Sequence, residues 1–360
     1  MKNNIMYKEI EIVSTDFENK YLVRLYDKSM HVGFMVKDII EFLKEGKKSD
    51  EMQKHFKERY ELFVEKQLID DVIENKINPF VVKQADTSFV KIATLFNPSV
   101  IPVPKIVLEV FSKYFFYFMG LILFSVNAYF YFESMQYQTN SISEKILGYV
   151  LLFLILLGHE MGHSLAAKRY DTNVKEIGLG WYLIFPVFYV DLNEIWKLSS
   201  YKRIIINLAG IYLQLFCGVL LLLSSFFIEE LKGMFMMVFF MNFSVVILNV
   251  NPFLKFDGYW IVSDLLEGKD LYAVSSRIVK KWMRFEKSGE ENVMIVYTVL
   301  RTVFILFILF TFLQVFYRSV YSLVTNGKME SSGVFIVVFL MLLFYRIFKK
   351  RKSKKNERLA

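Results

Sequence analysis

The chain has 360 residues, of which 54% are hydrophobic and 17% aromatic, and its formal net charge is +8. Most of its apolar excess over a typical soluble domain lies after residue 110, which indicates a membrane protein with a soluble front section. The basic residues gather in particular loops and in the tail, which argues against a nucleic-acid-binding protein. The single cysteine, Cys217, excludes an intrachain disulfide and a zinc site built from several thiolates.

The front section has the pattern of a small α+β domain. Alternating apolar runs at Tyr7–Val13 and Tyr21–Tyr26, with a turn-like stretch between them, predict a β-hairpin. Apolar residues at helical spacing then predict a helix that ends at Gly46 and a second helix with Ser49 as its N-cap. A third helix is predicted over Leu62–Ile73. Strands followed by three short helices favour a winged-helix-like module.

A proline-rich stretch follows the front section, since four of the six prolines lie between residues 77 and 105. Such a proline content predicts a linker or an irregular collar. We therefore expect a winged-helix-like domain over residues 1–80, a linker over 81–110, a membrane domain over 111–348 and a basic cytoplasmic tail over 349–360.

Six apolar runs fill the membrane domain, each near the roughly 17–25 residues of a spanning helix. They cover residues 111–132, 146–167, 204–228, 234–262, 294–320 and 333–348. A shorter run, Ile177–Val190, contains Pro186 and predicts a re-entrant or interfacial segment. Lysine and arginine concentrate in alternate loops and in the tail, which predicts that both termini lie in the cytoplasm. The predicted fold is mainly α, a polytopic bundle of about six transmembrane helices behind a small α+β domain.

The second apolar run ends in a His-Glu-x-x-His motif formed by His159, Glu160 and His163. Histidines four residues apart lie on one helix face, where one metal ion can bind both. Zn²⁺ is the metal that this motif ordinarily binds, and the glutamate next to the first ligand acts as general base on a metal-bound water. Ionisable side chains inside an apolar span are costly unless they are satisfied, which argues against a chance match.

A zinc ion held by two histidines needs a further protein ligand, and the fourth run contains a candidate, Asp257. Pro252 removes a helical hydrogen bond, so we expect the helix to break near Asn251 and Asp257 to turn toward the bundle interior. The alternative is that Asp257 is an interfacial loop residue paired with Lys255.

Together, these motifs resemble the pattern of the site-2 protease family of intramembrane zinc metalloproteases. That family pairs His-Glu-x-x-His with a later segment similar to Asn-Pro-Phe-Leu-Lys-Phe-Asp-Gly, whose aspartate is the third zinc ligand. The resemblance implies that His159, His163 and Asp257 bind Zn²⁺ and that Glu160 is catalytic. It also makes Asn251 a candidate for orienting the substrate or stabilising the oxyanion.

The run between the two motifs contains Ile-Asn-Leu-Ala-Gly-Ile-Tyr-Leu-Gln-Leu, which is similar to a small-residue segment of the family. Ala209 and Gly210 match that segment, whereas Gln214 stands where the family usually has asparagine, so a polar role is not expected at position 214. Asn207 is a candidate for orienting the substrate or stabilising the oxyanion, and the alternative is that it packs helices together. Ile177–Val190 falls where the family often has a β-like element, which could pair with an unwound substrate.

The order of elements in the front section resembles PqqD-type modules, which accompany enzymes that mature ribosomally made peptides. This resemblance implies that the module binds a leader peptide by strand addition, and that a bacterial, bacteriocin-like precursor is cut near the inner face of the cell membrane. Two alternatives stay open: regulated cleavage of a membrane-anchored signalling protein, and a non-catalytic membrane protein for peptide transport or immunity. The expected partners are a peptide or protein substrate and the lipid bilayer, without nucleic acid.

Overall fold

The structure is a computed structural model that describes residues 7–25, 28–82, 89–139, 141–182, 185–266, 270–287 and 289–326. The sixth predicted span and the basic tail lie outside these residues. The described residues form two compact units. The first takes the residues up to 87 together with 94–178 and 188–250, and the second takes 88–93, 179–187 and those from 251 onward.

The front domain begins with a three-stranded antiparallel sheet, in the order β1-β2-β3. Its strands are β1 (Glu11–Ser14), β2 (Lys20–Leu25) and β3 (Lys28–Gly33). The predicted hairpin corresponds to β1 and β2, which pair from Glu11 opposite Arg24 to Ser14 opposite Tyr21. Strand β3 was not predicted, because its sequence Lys-Ser-Met-His-Val-Gly carries only a short and weakly apolar alternation.

Four helices complete this domain: α1 (Phe34–Lys44), α2 (Ser49–Tyr60), α3 (Lys66–Val72) and α4 (Asn78–Val82). They share one buried apolar core with the sheet, formed by Val23, Ile39, Ile40, Met52, Phe56, Ile69 and Ile77, among others. Gly46 has a φ of +76° just beyond α1, as expected of a residue that ends a helix. The prediction of Ser49 as an N-cap is wrong, because Lys48 is the cap residue and Ser49 Oγ instead donates to Asp70 Oδ1 at 2.5 Å.

A second three-stranded sheet has the order β4-β5-β6. Strand β4 (Phe89–Phe96) lies within the stretch expected to be a linker, and a short helix, α5 (Lys105–Leu108), follows it. The short apolar run forms β5 (Ile177–Tyr182) and β6 (Phe185–Val190) and therefore does not form a spanning helix.

Five of the described helices are long and apolar enough to cross a membrane, which identifies a multi-pass membrane protein. They are α6 (Lys113–Ser134), α7 (Ile142–Arg169), α8 (Ser200–Phe227), α9 (Lys232–Val250) and α12 (Asn292–Asn326). Helix α8 is the central one, because 67% of its apolar window is buried, against 17% for α6 and α7. It packs against α6, α7 and α9.

The fourth apolar run is not one helix, because α9 ends at Val250 and a new helix, α10 (Asp257–Leu265), begins after a break of six residues. Pro252 lies in this break, where its missing N–H interrupts the helical ladder, as the sequence predicted. Helix α10, with nine residues, is too short to span a membrane. It is followed by α11 (Leu271–Trp282).

Helices α7 and α8 touch through a glycine. A Cβ atom on Gly162 would lie 2.4 Å from the backbone oxygen of Ala209, where only a shift of backbone could make room. The next glycine toward the start of the helix, Gly158, has space, because its Cβ would lie 3.6 Å from a leucine methyl group of Leu213. Close backbone contact at small residues is the usual way that membrane helices associate.

We expect Gly162→Ala to destabilise the bundle by about 1–3 kcal/mol through overpacking, despite the better helix propensity of alanine. Thermal unfolding of the purified protein in detergent measures this effect. Gly158→Ala is the matched control and should leave the unfolding temperature equal to or above that of the unchanged protein. Equal stability of the two variants would contradict the close contact.

Candidate metal centre

The two histidines of the motif face one another on α7. His159 Nε2 and His163 Nε2 are 3.1 Å apart, and both side chains are buried within an apolar helix. Two nitrogens bound to one tetrahedral zinc, at Zn–N distances of about 2.0–2.1 Å, lie about 3.3 Å from each other. The spacing therefore suits a shared metal ion.

Helix α8 fixes the tautomer of His163. Its Nδ1 lies 2.7 Å from the carbonyl oxygen of Ile206, and because a carbonyl can only accept, Nδ1 carries the proton. The Nε2 atom of His163 therefore presents a lone pair toward His159. Metal-binding histidines commonly donate their other ring N–H to a carbonyl or carboxylate in this way.

A buried amide network holds His159. Its Nδ1 lies 2.8 Å from Gln214 Oε1, which also accepts from Asn249 Nδ2 at 3.3 Å. Gln214 Nε2 donates to Asn242 Oδ1 at 3.2 Å, and Asn242 Nδ2 donates to the backbone oxygen of Gln214 at 2.9 Å. These contacts orient the amide so that Oε1 accepts the proton on His159 Nδ1. Both Nε2 atoms therefore offer lone pairs to the space between the rings.

A glycine lets the backbone of α8 approach the imidazoles. A Cβ atom on Gly210 would lie 2.5 Å from His163 Nε2 and 2.7 Å from His159 Nε2. Ile206, Gly210 and Gln214 are spaced four residues apart, so one face of α8 supplies the carbonyl, the gap and the amide. Any larger side chain at position 210 would collide with both imidazole rings.

The remaining predicted site residues have the following positions. Asp257 is the first residue of α10. Glu160 is half-buried on α7, next to His159. Asn207 is buried on α8, and Asn251 Oδ1 accepts from the backbone N–H of Phe253 at 2.8 Å, which caps the helix break.

The role of Gln214 was missed because the residue was weighed only as a mismatch to a family pattern. In the structure it is fully buried and contacts a candidate ligand. A signal was present in the sequence, since Gln214 lies four residues after Gly210 in an apolar helix, and polar side chains in such helices are functional by default. Asn242 and Asn249, seven residues apart on α9, share one helix face in the same way.

The two histidines lie in a segment of the chain that matches a protein-family model. Residues 147–232 match the family model of peptidase family M50. That segment carries the motif on α7 together with Gly210 and Gln214.

Two curated relatives share part of the chain around the M50 segment. A Bacillus subtilis (strain 168) protein named "Putative peptide zinc metalloprotease protein YydH" is 31% identical over 167 residues, which are 43% of this chain and 63% of that protein. The "Zinc metalloprotease MJ0392" of Methanocaldococcus jannaschii is 30% identical over 142 residues, 39% of this chain and 40% of that protein. The chain thus spans less than two thirds of either relative.

Zn²⁺ is the metal that the M50 segment and the relatives' names imply. The donor atoms fit it, since two neutral imidazoles and one carboxylate are a usual set for a zinc site that keeps one position open. A cation between the two Nε2 lone pairs also removes the repulsion that they would otherwise exert on each other.

We expect Gln214→Leu to weaken zinc binding by about tenfold to a hundredfold, because His159 loses the acceptor that fixes its ring. Competition with a chromophoric chelator on the purified protein measures this affinity. Ser225→Ala serves as the control, since Ser225 is a buried polar residue of the same helix whose hydroxyl donates to the nearby carbonyl of Leu222. Zinc affinity that stays at the wild-type value in Gln214→Leu would show that the amide does not support the ligand.

Proposed function

We propose that the chain is a zinc-dependent endopeptidase that hydrolyses peptide bonds at a site within a membrane helix bundle. The observation that carries this proposal is the buried pair of Nε2 atoms 3.1 Å apart, each ring held in the metal-binding tautomer by α8. The pair lies in an M50 segment on an apolar helix, where unsatisfied polar groups would be costly.

In this proposal His159, His163 and Asp257 bind Zn²⁺, and Glu160 is the general base. When bound, Zn²⁺ acts as a Lewis acid on the scissile carbonyl and lowers the pKa of a water molecule to about 7. Glu160 takes one proton from the attacking water and gives it to the leaving amine nitrogen. Asn207 and Asn251 are candidates for hydrogen bonding the substrate backbone.

We expect Glu160→Gln to lower the rate of peptide hydrolysis by about 10²–10⁴-fold while zinc content stays unchanged, because the base is lost and the ligands are kept. The assay is mass-spectrometric detection of cleavage in a synthetic peptide library, together with metal analysis. Glu144→Gln at the beginning of α7 is the matched control and should cleave normally. Undiminished cleavage by Glu160→Gln would disprove the proposed mechanism.

We further propose that the substrate is a peptide precursor and that the front domain binds its leader segment as an added strand. The sheet order β1-β2-β3, followed by helices α1 to α3, supports this assignment, because an outer strand can pair with an extended peptide. The Bacillus subtilis relative is named for a peptide substrate, which favours the same substrate class.

Contacts between the front domain and the beginning of α8 support a shared task. Asp16, in the β1–β2 turn, donates its backbone N–H to the oxygen of Lys197 at 2.8 Å. Its carboxylate accepts from the backbone N–H of Ser199, the N-cap residue of α8, at 3.0 Å and from Lys202 Nζ at 2.7 Å. His31 Nε2 adds a contact of 2.7 Å to the backbone oxygen of Trp196.

The ionisation of Asp16 reflects this docking. Burial raises the pKa of its carboxyl, but hydrogen bonds from Lys202 and Ser199 outweigh burial, so the pKa is lower than usual. A lowered pKa in the folded state means that this contact stabilises the protein above the usual carboxyl range and is lost as the pH falls through the lowered value. A negative charge at the N-terminus of α8 is also favoured by the helix dipole.

Lysine- and arginine-rich loops support a cytoplasmic location of both termini, so the leader should bind from the cytoplasmic side. We expect fluorescein-labelled synthetic precursor peptides, from genes beside this one, to bind saturably to inverted membrane vesicles that contain the protein. Vesicles without the protein are the control. Equal binding to right-side-out vesicles would overturn the orientation, and the lack of saturable binding to either would overturn leader recognition.

A further inference from the structure

The break between α9 and α10 creates backbone carbonyls that a continuous helix would have satisfied. The break covers residues 251–256, and Pro252 cannot donate a hydrogen bond to the preceding turn. Carbonyls at the end of a helix need other donors, above all in an apolar setting. The structure supplies them from two tyrosines further along the chain.

Tyr297 Oη, on α12, donates to the carbonyl oxygen of Pro252 at 3.1 Å. Tyr272 Oη, on α11, donates to the carbonyl oxygen of Phe253 at 2.7 Å. The ring of Phe253 also packs on Tyr297, with 5.8 Å between ring centroids. Two helices that follow the break therefore hold two successive peptide units of it in a fixed orientation.

Charged and aromatic neighbours hold Tyr272 in turn. The guanidinium of Arg301 lies over its ring at 4.2 Å, close enough for a cation–π interaction. Tyr259 packs edge-on against the same ring at 4.9 Å. Tyr259 is itself buried on α10, two residues after Asp257, and its hydroxyl donates to Asp270 Oδ1 at 3.1 Å. Asp257 therefore lies between Pro252 and Phe253 on one side and Tyr259 on the other, and all three contact residues at the beginning of α11 or on α12.

We propose that Tyr272 and Tyr297 are positioning residues for the metal centre, and that they fix the carboxylate of Asp257 in its metal-binding place by holding the broken backbone. The inference rests on the proposed zinc site and extends it to two helices outside the matched M50 segment. Neither tyrosine touches the reacting atoms in this proposal. Their hydroxyls act only through the peptide units at 252 and 253.

The test is zinc affinity, measured by chelator competition on the full-length protein in detergent. We expect Tyr272→Phe and Tyr297→Phe each to weaken zinc binding about threefold to tenfold, the effect of one lost hydrogen bond, and the double variant to lose more. Tyr317→Phe is the matched control on α12, because that side chain is 68% exposed, and its affinity should equal that of the wild type.

Measurements in the Asp257→Ala variant distinguish an effect on the position of Asp257 from a general loss of protein stability. In Asp257→Ala, the same two substitutions should not lower the residual zinc affinity further, because the ligand through which they act is gone. Unchanged affinity in the double tyrosine variant overturns the inference, and so does an equal loss in the Asp257→Ala background. Absence of zinc binding by the wild type would instead overturn the proposed function, so the two failures are distinguishable.

Discussion

The fold depends on one electrostatic constraint, which is that two imidazole nitrogens with lone pairs face each other at 3.1 Å inside an apolar bundle. Such an arrangement is unfavourable unless each ring is held by its other nitrogen and a cation can lie between the two. Helix α8 meets the first requirement with the carbonyl of Ile206 and the amide of Gln214. Because both partners come from the same helix face, the separation of α7 and α8 has to be small and constant. Gly162 and Gly210 make that separation possible.

The polar groups that hold the site form a connected path through otherwise apolar helices. Gln214 joins His159 on α7 to Asn242 and Asn249 on α9, so three helices are linked by side-chain hydrogen bonds around the His159 ring. A buried network of this kind is stabilising only when every member has a partner. The need to satisfy buried polar groups also explains the break after α9, where the hydroxyls of Tyr272 and Tyr297 donate to carbonyls that lack helical donors.

Sequence reasoning found the parts of the structure that leave a local signature. The His-Glu-x-x-His motif, the helix break at Pro252 and the absence of a spanning helix at Ile177–Val190 each follow from spacing or from a missing N–H. Strand β3 and the cap of α2 were missed, since both depend on tertiary partners: β3 on its pairing with β2, and Ser49 on Asp70. Gln214 was missed although a polar side chain in an apolar helix is a local signal, and its partner His159, 55 positions away, could not be identified from spacing.

The contact of Asp16 with the N-terminus of α8 affects which front domains can be exchanged between related chains. The front domain supplies a cap that the helix does not supply for itself, since Ser199 makes no side-chain capping bond. Exchange of front domains between related chains is therefore limited by the contact between Asp16 and the beginning of α8. A transplanted front domain needs an acceptor in its first turn that matches Ser199 and Lys202, or else the helix that carries Ile206 and Gln214 begins with an unsatisfied N–H. A chimaera is therefore expected to keep the positions of Ile206 and Gln214 only if its front domain carries a turn like that of Asp16.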